Sequence, residues 1–359
     1  MDSTQNPSYS THPSADQRTH VIHIEKWGKP DVLVGRDIRL PAPAPGEVHL
    51  KVKAAGVNFA DLIMRMGLYG TVPPRPFSPG FEVAGEIVRT GGQVEGWKAG
   101  DRAIALMRHG GYAGDVIVPA DQLFPWPEGM TAIEAAAIPV TFLTAWICLF
   151  RAASVRKGEK VLVLGAGGGV GTAAVQLAVK AGLEVIGTAG SEAKRRFVRE
   201  RLGAKACFDS RGDWETGVRG VVGKRGLDVA LDPVGGRSTR ACRNLLSPLG
   251  RLVFYGMSRA VPGSRPNKLR AALAWWQTPR FHPMDLIRPN LGLHGVHLLH
   301  LGGKEEILRE AYMEMLPSFE TAELAPVLDK SFPLTRAGAV DAHRYLHARR
   351  NLGKVVLEA

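Results

Sequence analysis

A chain of 359 residues, 45% hydrophobic and 22% charged, has the length for two domains with their own cores and the composition of a soluble enzyme. Its 46 Lys and Arg against 34 Asp and Glu give a formal charge of +12, which suits an anionic partner such as a nucleotide. The charge is dispersed and lacks an interleaved aromatic platform, which argues against nucleic acid as the main partner, and three cysteines (Cys148, Cys207, Cys242) without a CxxC pair argue against a disulfide framework or a cysteine-rich metal site.

The first twenty residues are polar, carry two prolines and have no apolar core. They predict a disordered tail rather than a signal peptide. Short β-like runs follow at 48–52, 82–88, 102–106 and 115–118, punctuated by Gly and Pro, and predict a mostly β domain. The longest apolar run, around 135–150, is broken by Pro139 and two threonines and is expected to fall short of a membrane span.

The stretch 161–191, VLVLGAGGGVGTAAVQLAVKAGLEVIGTAGS, then places an apolar strand, a glycine turn, a helix and a second strand in series. That order builds a Rossmann-type βαβ unit: missing side chains at 165–171 let backbone amides approach a pyrophosphate at the N-terminus of the helix predicted over 172–181. Gly168, Gly169 and Val170 are the expected pyrophosphate contacts. Sites for NAD usually carry an Asp or Glu roughly 20 residues past the glycines to hold the ribose 2′-hydroxyl. This chain offers Thr188, Ala189, Gly190 and Ser191, followed by Lys194, Arg195 and Arg196. A hydroxyl and cations in place of a carboxylate point to the 2′-phosphate of NADPH, with Ser191 and Lys194 as its binders. Arg195 and Arg196 read more readily as the solvated face of a helix running to Leu202.

Further apolar runs at Cys207, 228–231 and 251–256 continue the strand–helix alternation and predict a doubly wound parallel sheet with an exposed edge after 251–256. Over 262–280, apolar residues at helical spacing (Leu269, Leu273, Trp276) lie beside Arg265, Lys268 and Arg270. The same pattern serves a membrane-touching amphipathic helix or a lid or subunit contact that buries Trp275 and Trp276, and the second is favoured. His294, His297 and His300 recur at spacing three, but Gly292 and Gly295 interrupt the helix that would align them as metal ligands. The last thirty or so residues return to β-like runs, with 355–357 docking back on the first domain. The expected division is therefore a β domain over 21–144 and 325–359, with a nucleotide domain over 145–324 carrying an insertion at 262–300.

The segments GVNFADLIMRMGLYG, PGFEVAGEIV, AGD at 99–101, GGVG, LDPVGG at 231–236 and the terminal GKVVL together resemble the medium-chain dehydrogenase/reductases. Within them the chain looks like the zinc-free quinone oxidoreductase (zeta-crystallin-like) branch, and GMSRAVPGSRPNKLRAALAWWQTPRF is similar to the vesicle amine transport protein subgroup. The resemblance covers about residues 21–359 and implies an α/β fold: a GroES-like, mostly β catalytic domain plus a Rossmann domain. It implies no zinc, since Asn58 and Phe81 stand where zinc enzymes carry a cysteine and a histidine. It implies that Asn58, Asp61 and Tyr69 face the nicotinamide with Thr144 beneath it. It further implies that backbone at Gly256 and Met257 meets the nicotinamide amide and that Arg349 lies near the 2′-phosphate. A family tyrosine near that phosphate is Ser210 here, a departure that weakens the NADPH assignment. A homodimer and a cytoplasmic setting are expected.

Without a Lewis acid, hydride transfer rests on placing the acceptor carbon and on hydrogen bonds to the oxygen that gains charge. Tyr69 is either a proton donor or a wall of the pocket; Asn58, an amide, orients rather than titrates; Asp61 either steers a proton or, favoured, caps a helix over 62–66. The substrate pocket is expected from loops near Tyr69, 108–112 and 262–300. The sequence thus predicts a zinc-independent, NADPH-dependent reductase of a quinone or an α,β-unsaturated carbonyl. A biosynthetic enoyl reductase acting on a thioester or enone, and a nucleotide-binding, membrane-associated scaffold with little turnover, are the alternatives.

Overall fold

The computed structural model describes residues 17–70, 72–261, 263–264, 268–301 and 303–359. Its second half is organised by a six-stranded parallel sheet whose order is Ala206–Asp209, Glu184–Ala189, Lys160–Val163, Leu227–Asp232, Leu246–Phe254 and Gly292–Gly295. The central strands read as unbroken apolar runs because both faces are covered: Val161, Leu162, Val163, Val229, Ala230 and Leu231 have no exposed surface. Strand order reverses between Lys160–Val163 and Leu227–Asp232, so a crevice opens at the carboxyl ends of these strands.

The helix after the glycine turn is Gly169–Lys180, beginning earlier than the predicted 172. Gly168, in extended conformation, is its N-cap, and three residues of low helix propensity in mid-chain are tolerated in a first turn. The edge expected after 251–256 is covered by Gly292–Gly295, which pairs with Arg251 to Phe254 and becomes the edge strand itself. His294 accordingly lies in a strand and not on a helix face.

A seven-stranded sheet fills the first half. Its path runs Leu328–Pro333, Lys354–Glu358, Glu47–Val57, Glu82–Thr90, Arg102–Leu106 and Leu123–Pro125, with Asp115–Pro119 paired to Glu47–Val57 off that path. The C-terminal strand pairs antiparallel with Val57 to Ala54. The strand Arg18–Ile24 pairs with Leu33–Arg39, so the expected tail over 1–20 ends too late; Ile22 and Ile24 are buried on one face of the strand and Thr19 and Val21 on the other. Residues 1–16 of that tail lie outside the described residues.

Helical residues 132–152 join the two halves. Their length and apolarity would suffice to cross a membrane, contrary to expectation, yet the stretch is 78% buried within the fold. Pro139 does not break it because it occupies the first turn of Pro139–Trp146, where a missing N–H costs nothing. Phe142 meets Phe319 edge-on at 4.9 Å, and Tyr312 donates to the Pro125 carbonyl at 2.6 Å, tying the helix Glu306–Glu320 to both halves.

The helix Lys268–Gln277 forms as the spacing predicted, but its apolar residues face outward: Trp275 and Trp276 are 61% and 74% exposed, so neither packs on the chain's own cleft. Ala274 supplies the buried contact instead. Arg265 lies outside the described residues.

Candidate active site

The crevice at the switch point is a cavity of about 370 Å³ between the two halves. Of the expected residues, Asn58, Tyr69, Thr144, Gly168, Gly169, Val170, Gly256 and Met257 line it; Asp61, Ser191, Lys194 and Arg349 do not. The expected contribution of 108–112 is absent from its walls: Tyr112 is fully buried and Arg108 lines a neighbouring cavity.

The glycine turn is built for close approach. Gly165 adopts φ 66°, and a Cβ on Gly171 would overlap the Gly165 carbonyl. The amides of Gly169, Val170 and Gly171, at the start of a 12-residue helix, have no partner within that helix and are available to an anion. The turn is held to the other half by Gly353 N–H donating to the Gly167 carbonyl at 2.9 Å.

Asn58 ends the strand Glu47–Val57 and caps the helix Phe59–Arg65. Asp61 is the third residue of that helix, not the cap of a later one: its Oδ2 accepts the Asn58 N–H at 2.8 Å, its Oδ1 the Gly80 N–H at 2.9 Å. Sealed from the cavity and fully buried, it is a structural group rather than a proton-steering carboxylate. Burial pushes its carboxyl up to about 7, against the downward pull of the Asn58 and Gly80 amides and Lys354. Behind it, Tyr112 donates to Asp61 Oδ2 at 3.4 Å and meets His343 Nε2 at 3.1 Å, while the fully buried Arg65 donates to His343 Nδ1 at 3.2 Å and meets His347 Nε2 at 2.6 Å.

The Asn58 side chain is locked by a buried ion pair that sequence reasoning missed. Lys354, 4% exposed, pairs with the fully buried Glu82 and donates to Asn58 Oδ1 at 2.5 Å; Asn58 Nδ2 donates to Glu82 Oε1 at 2.8 Å, and Val140 N–H to Glu82 Oε2 at 2.7 Å. Cation on one side and carboxylate on the other fix the amide's orientation, leaving one Nδ2 hydrogen for a ligand. The signals were present in PGFE and GKVVL, but only the antiparallel pairing of the last strand with Glu47–Val57 brings them together.

Tyr69 is half-buried against Phe81 and its hydroxyl lies 3.0 Å from His297 Nε2. Burial, helped by the Asp61 charge, pushes its phenol up to about 12, so at neutral pH it is a donor.

At the far end of the groove, Ser191 Oγ accepts the Lys194 N–H at 3.4 Å and caps Glu192–Glu200. Lys194 lies over Gly167 and its Nζ donates to the Arg349 carbonyl at 2.8 Å. Burial lowers its ammonium, Asp329 opposes this, and the nearby Arg211 and Arg349 lower it further. Arg211 was not foreseen; it donates to the Gly190 carbonyl. The Arg349 guanidinium reaches the Ser258 carbonyl at 2.9 Å and stacks 5.4 Å from the Phe59 ring, at the cavity's rim. Arg195 pairs with Glu192 and Asp209, and Arg196 with Glu200.

A glycine cradle for a pyrophosphate at the switch point of a parallel sheet, facing a cleft from a second, β-rich half, defines a two-domain dinucleotide-dependent oxidoreductase. Residues 44–128 match the alcohol dehydrogenase GroES-like domain and 169–308 the zinc-binding dehydrogenase family. The rat synaptic vesicle membrane protein VAT-1 homolog is 37% identical over 318 residues, 88% of this chain and 78% of the relative. Pig quinone oxidoreductase is 32% identical over 94% of this chain and 96% of its own. Among solved structures, CurK enoyl reductase superposes with TM-score 0.81 at 28% identity, covering 95% and 99% of the two chains. A mycobacterial protein in complex with NADPH superposes with TM-score 0.82 at 29% identity, covering 95% and 100%. The chain belongs to the medium-chain dehydrogenase/reductase superfamily, in its VAT-1 and quinone oxidoreductase branch, with the GroES-like and Rossmann-like halves of that fold.

Proposed function

We propose that this protein is a zinc-independent, NADPH-dependent reductase that delivers hydride to a conjugated carbonyl, either a quinone or an α,β-unsaturated ketone. The observation that carries the reading is the cavity itself, which sets the glycine turn against the locked Asn58 and the Tyr69 hydroxyl. The cations Lys194, Arg211 and Arg349, the last two close enough to lower the Lys194 ammonium, fit the doubly charged 2′-phosphate, and no carboxylate stands at the end of Glu184–Ala189 to favour a bare ribose.

A bound dihydronicotinamide supplies the hydride. The chain's residues bind and orient: Asn58 presents a fixed amide, Thr144 and Val140 wall the cavity, and Tyr69 offers a hydrogen bond to the oxygen that gains charge. The donor set does not fit zinc. Asn58 is an amide already engaged by Lys354 and Glu82, and Phe81 offers only a hydrocarbon ring.

Reduction of an enoyl thioester is the second reading, favoured by the likeness to an enoyl reductase at the same coverage. The exposed edge of Gly292–Gly295 supports a homodimer, and three buried free cysteines suit a reducing cytoplasm. The test is coenzyme consumption with 9,10-phenanthrenequinone, an enone and an enoyl thioester, using NADPH and NADH in parallel. Turnover with NADPH preferred is expected. Binding of anionic liposomes without turnover of any acceptor would instead favour a nucleotide-binding scaffold.

A further inference from the structure

We infer that His297 is the proton relay behind Tyr69, linking the hydride-transfer cavity to solvent; this rests on the reductase reading above. The two residues come from different halves of the molecule. Tyr69 belongs to the loop after the helix Phe59–Arg65, whereas His297 follows the edge strand Gly292–Gly295 at the carboxyl end of the parallel sheet, anchored by Val296 N–H donating to the Phe254 carbonyl at 2.7 Å. Their side chains meet with Tyr69 Oη 3.0 Å from His297 Nε2, and both line the cavity that holds Asn58 and the glycine turn.

Burial gives the pair a direction. Tyr69 is half-buried inside the cavity while His297 is exposed, so the imidazole spans the wall between the reacting space and bulk water. The groups facing the pair favour a neutral ring. His297 is lowered by the partial desolvation of its cavity-facing side, by His300 with its ring centroid 4.1 Å away, and by Arg108, against its own backbone, which favours the charged form. Asp61 and burial keep Tyr69 protonated. A neutral imidazole donating through Nε2 to the phenol oxygen leaves the Tyr69 proton free to point at substrate.

The balance is as follows. The β-carbon of an enone gains two electrons and a hydrogen as hydride from the reduced nicotinamide, which becomes oxidised, and the carbonyl oxygen takes up the displaced π pair as an enolate. Tyr69 gives its proton to the enolate, His297 returns its Nε2 proton to the phenolate, and Nδ1 takes one proton from water as Nε2 loses one. The net uptake is one hydride and one solvent proton, and no imidazolate forms. A quinone, whose reduced oxygens are readily protonated by water, depends less on this path.

The test compares the full chain with His297→Ala, His297→Gln and Tyr69→Phe. In the cofactor-free protein labelled with ¹⁵N-histidine, Tyr69→Phe should move the His297 Nε2 resonance; no movement overturns the contact. In turnover, His297→Ala should lower kcat for an enone by about a hundredfold, the low end for a positioned acid or base. Phenanthrenequinone turnover should fall by no more than about threefold, and added imidazole should restore part of the enone rate to His297→Ala. A residue that only props up Tyr69 would lower both acceptors alike without imidazole rescue, and that result overturns the relay while leaving the reductase reading intact. Failure of the unaltered chain to reduce any acceptor overturns both.

Discussion

Replacing Lys354 by methionine isolates the buried pair beneath the cleft. The ammonium is 4% exposed and its partner Glu82 not at all, so Lys354→Met keeps a side chain of similar length while leaving a carboxylate in a dry interior. Two neutral donors remain to it, Asn58 Nδ2 and Val140 N–H, which stabilise but do not neutralise it. Removing one partner of a buried pair costs about 3–5 kcal/mol. At about 2–4 °C per kcal/mol for domains of this size, the midpoint of thermal unfolding should fall by on the order of 10 °C. The assay is thermal and urea unfolding of the single variants and of Lys354→Met/Glu82→Gln. The double variant, which holds no unpaired charge, should recover at least about 2 kcal/mol relative to Lys354→Met. A loss below about 1 kcal/mol for Lys354→Met, or strictly additive losses in the double variant, would refute a coupled pair.

Two other outcomes are expected. Lys194→Ala should raise KM for NADPH about tenfold or more, the size of a lost charge-assisted contact, with little change for NADH; equal changes for both coenzymes would remove Lys194 from the phosphate site. His347 is pushed down to about 4 from an ordinary 6.5 by burial, then by Arg65 and Arg349. The unfolded chain binds the proton first, so this contribution to stability is present above about 6.5 and is lost as pH falls toward 4, by roughly 3 kcal/mol in all. His347→Gln should therefore narrow its stability gap from the unaltered protein across that window, and urea unfolding at pH 7 and pH 4.5 showing a constant gap would refute it.

The features that sequence made legible are those in which neighbours in the chain are also neighbours in space. The strand, turn and helix of the phosphate cradle occupy one short stretch, so glycine spacing and apolar runs define it completely, apart from the helix start that glycine propensity disguised. Asn58 and Asp61 were legible as a pair but not as a capping box, because the sequence does not say whether the first or the fourth residue turns the helix; the extended φ and ψ of Asn58 decide it. Trp275 and Trp276 misled for the opposite reason, since apolar spacing fixes which residues share a helix face but not what, if anything, covers it.

What remained hidden arises from contacts between distant segments. Glu82 and Lys354 lie 272 residues apart, Tyr69 and His297 228, and Arg65 and His343 278. Each joins a residue of the first half to one that returns late in the chain, across strand pairings that no local pattern encodes. The consequence is chemical as well as topological. The phosphate end of the groove is formed mainly within one local unit, whereas every group aimed at the acceptor is fixed by a partner from the other end of the sequence. Perturbations of the interface between halves should accordingly cost turnover more than coenzyme affinity, because the glycine turn and its helix are local and borrow only Gly353 and Arg349 from the other half, while Asn58 and Tyr69 need Lys354 and His297 brought to them.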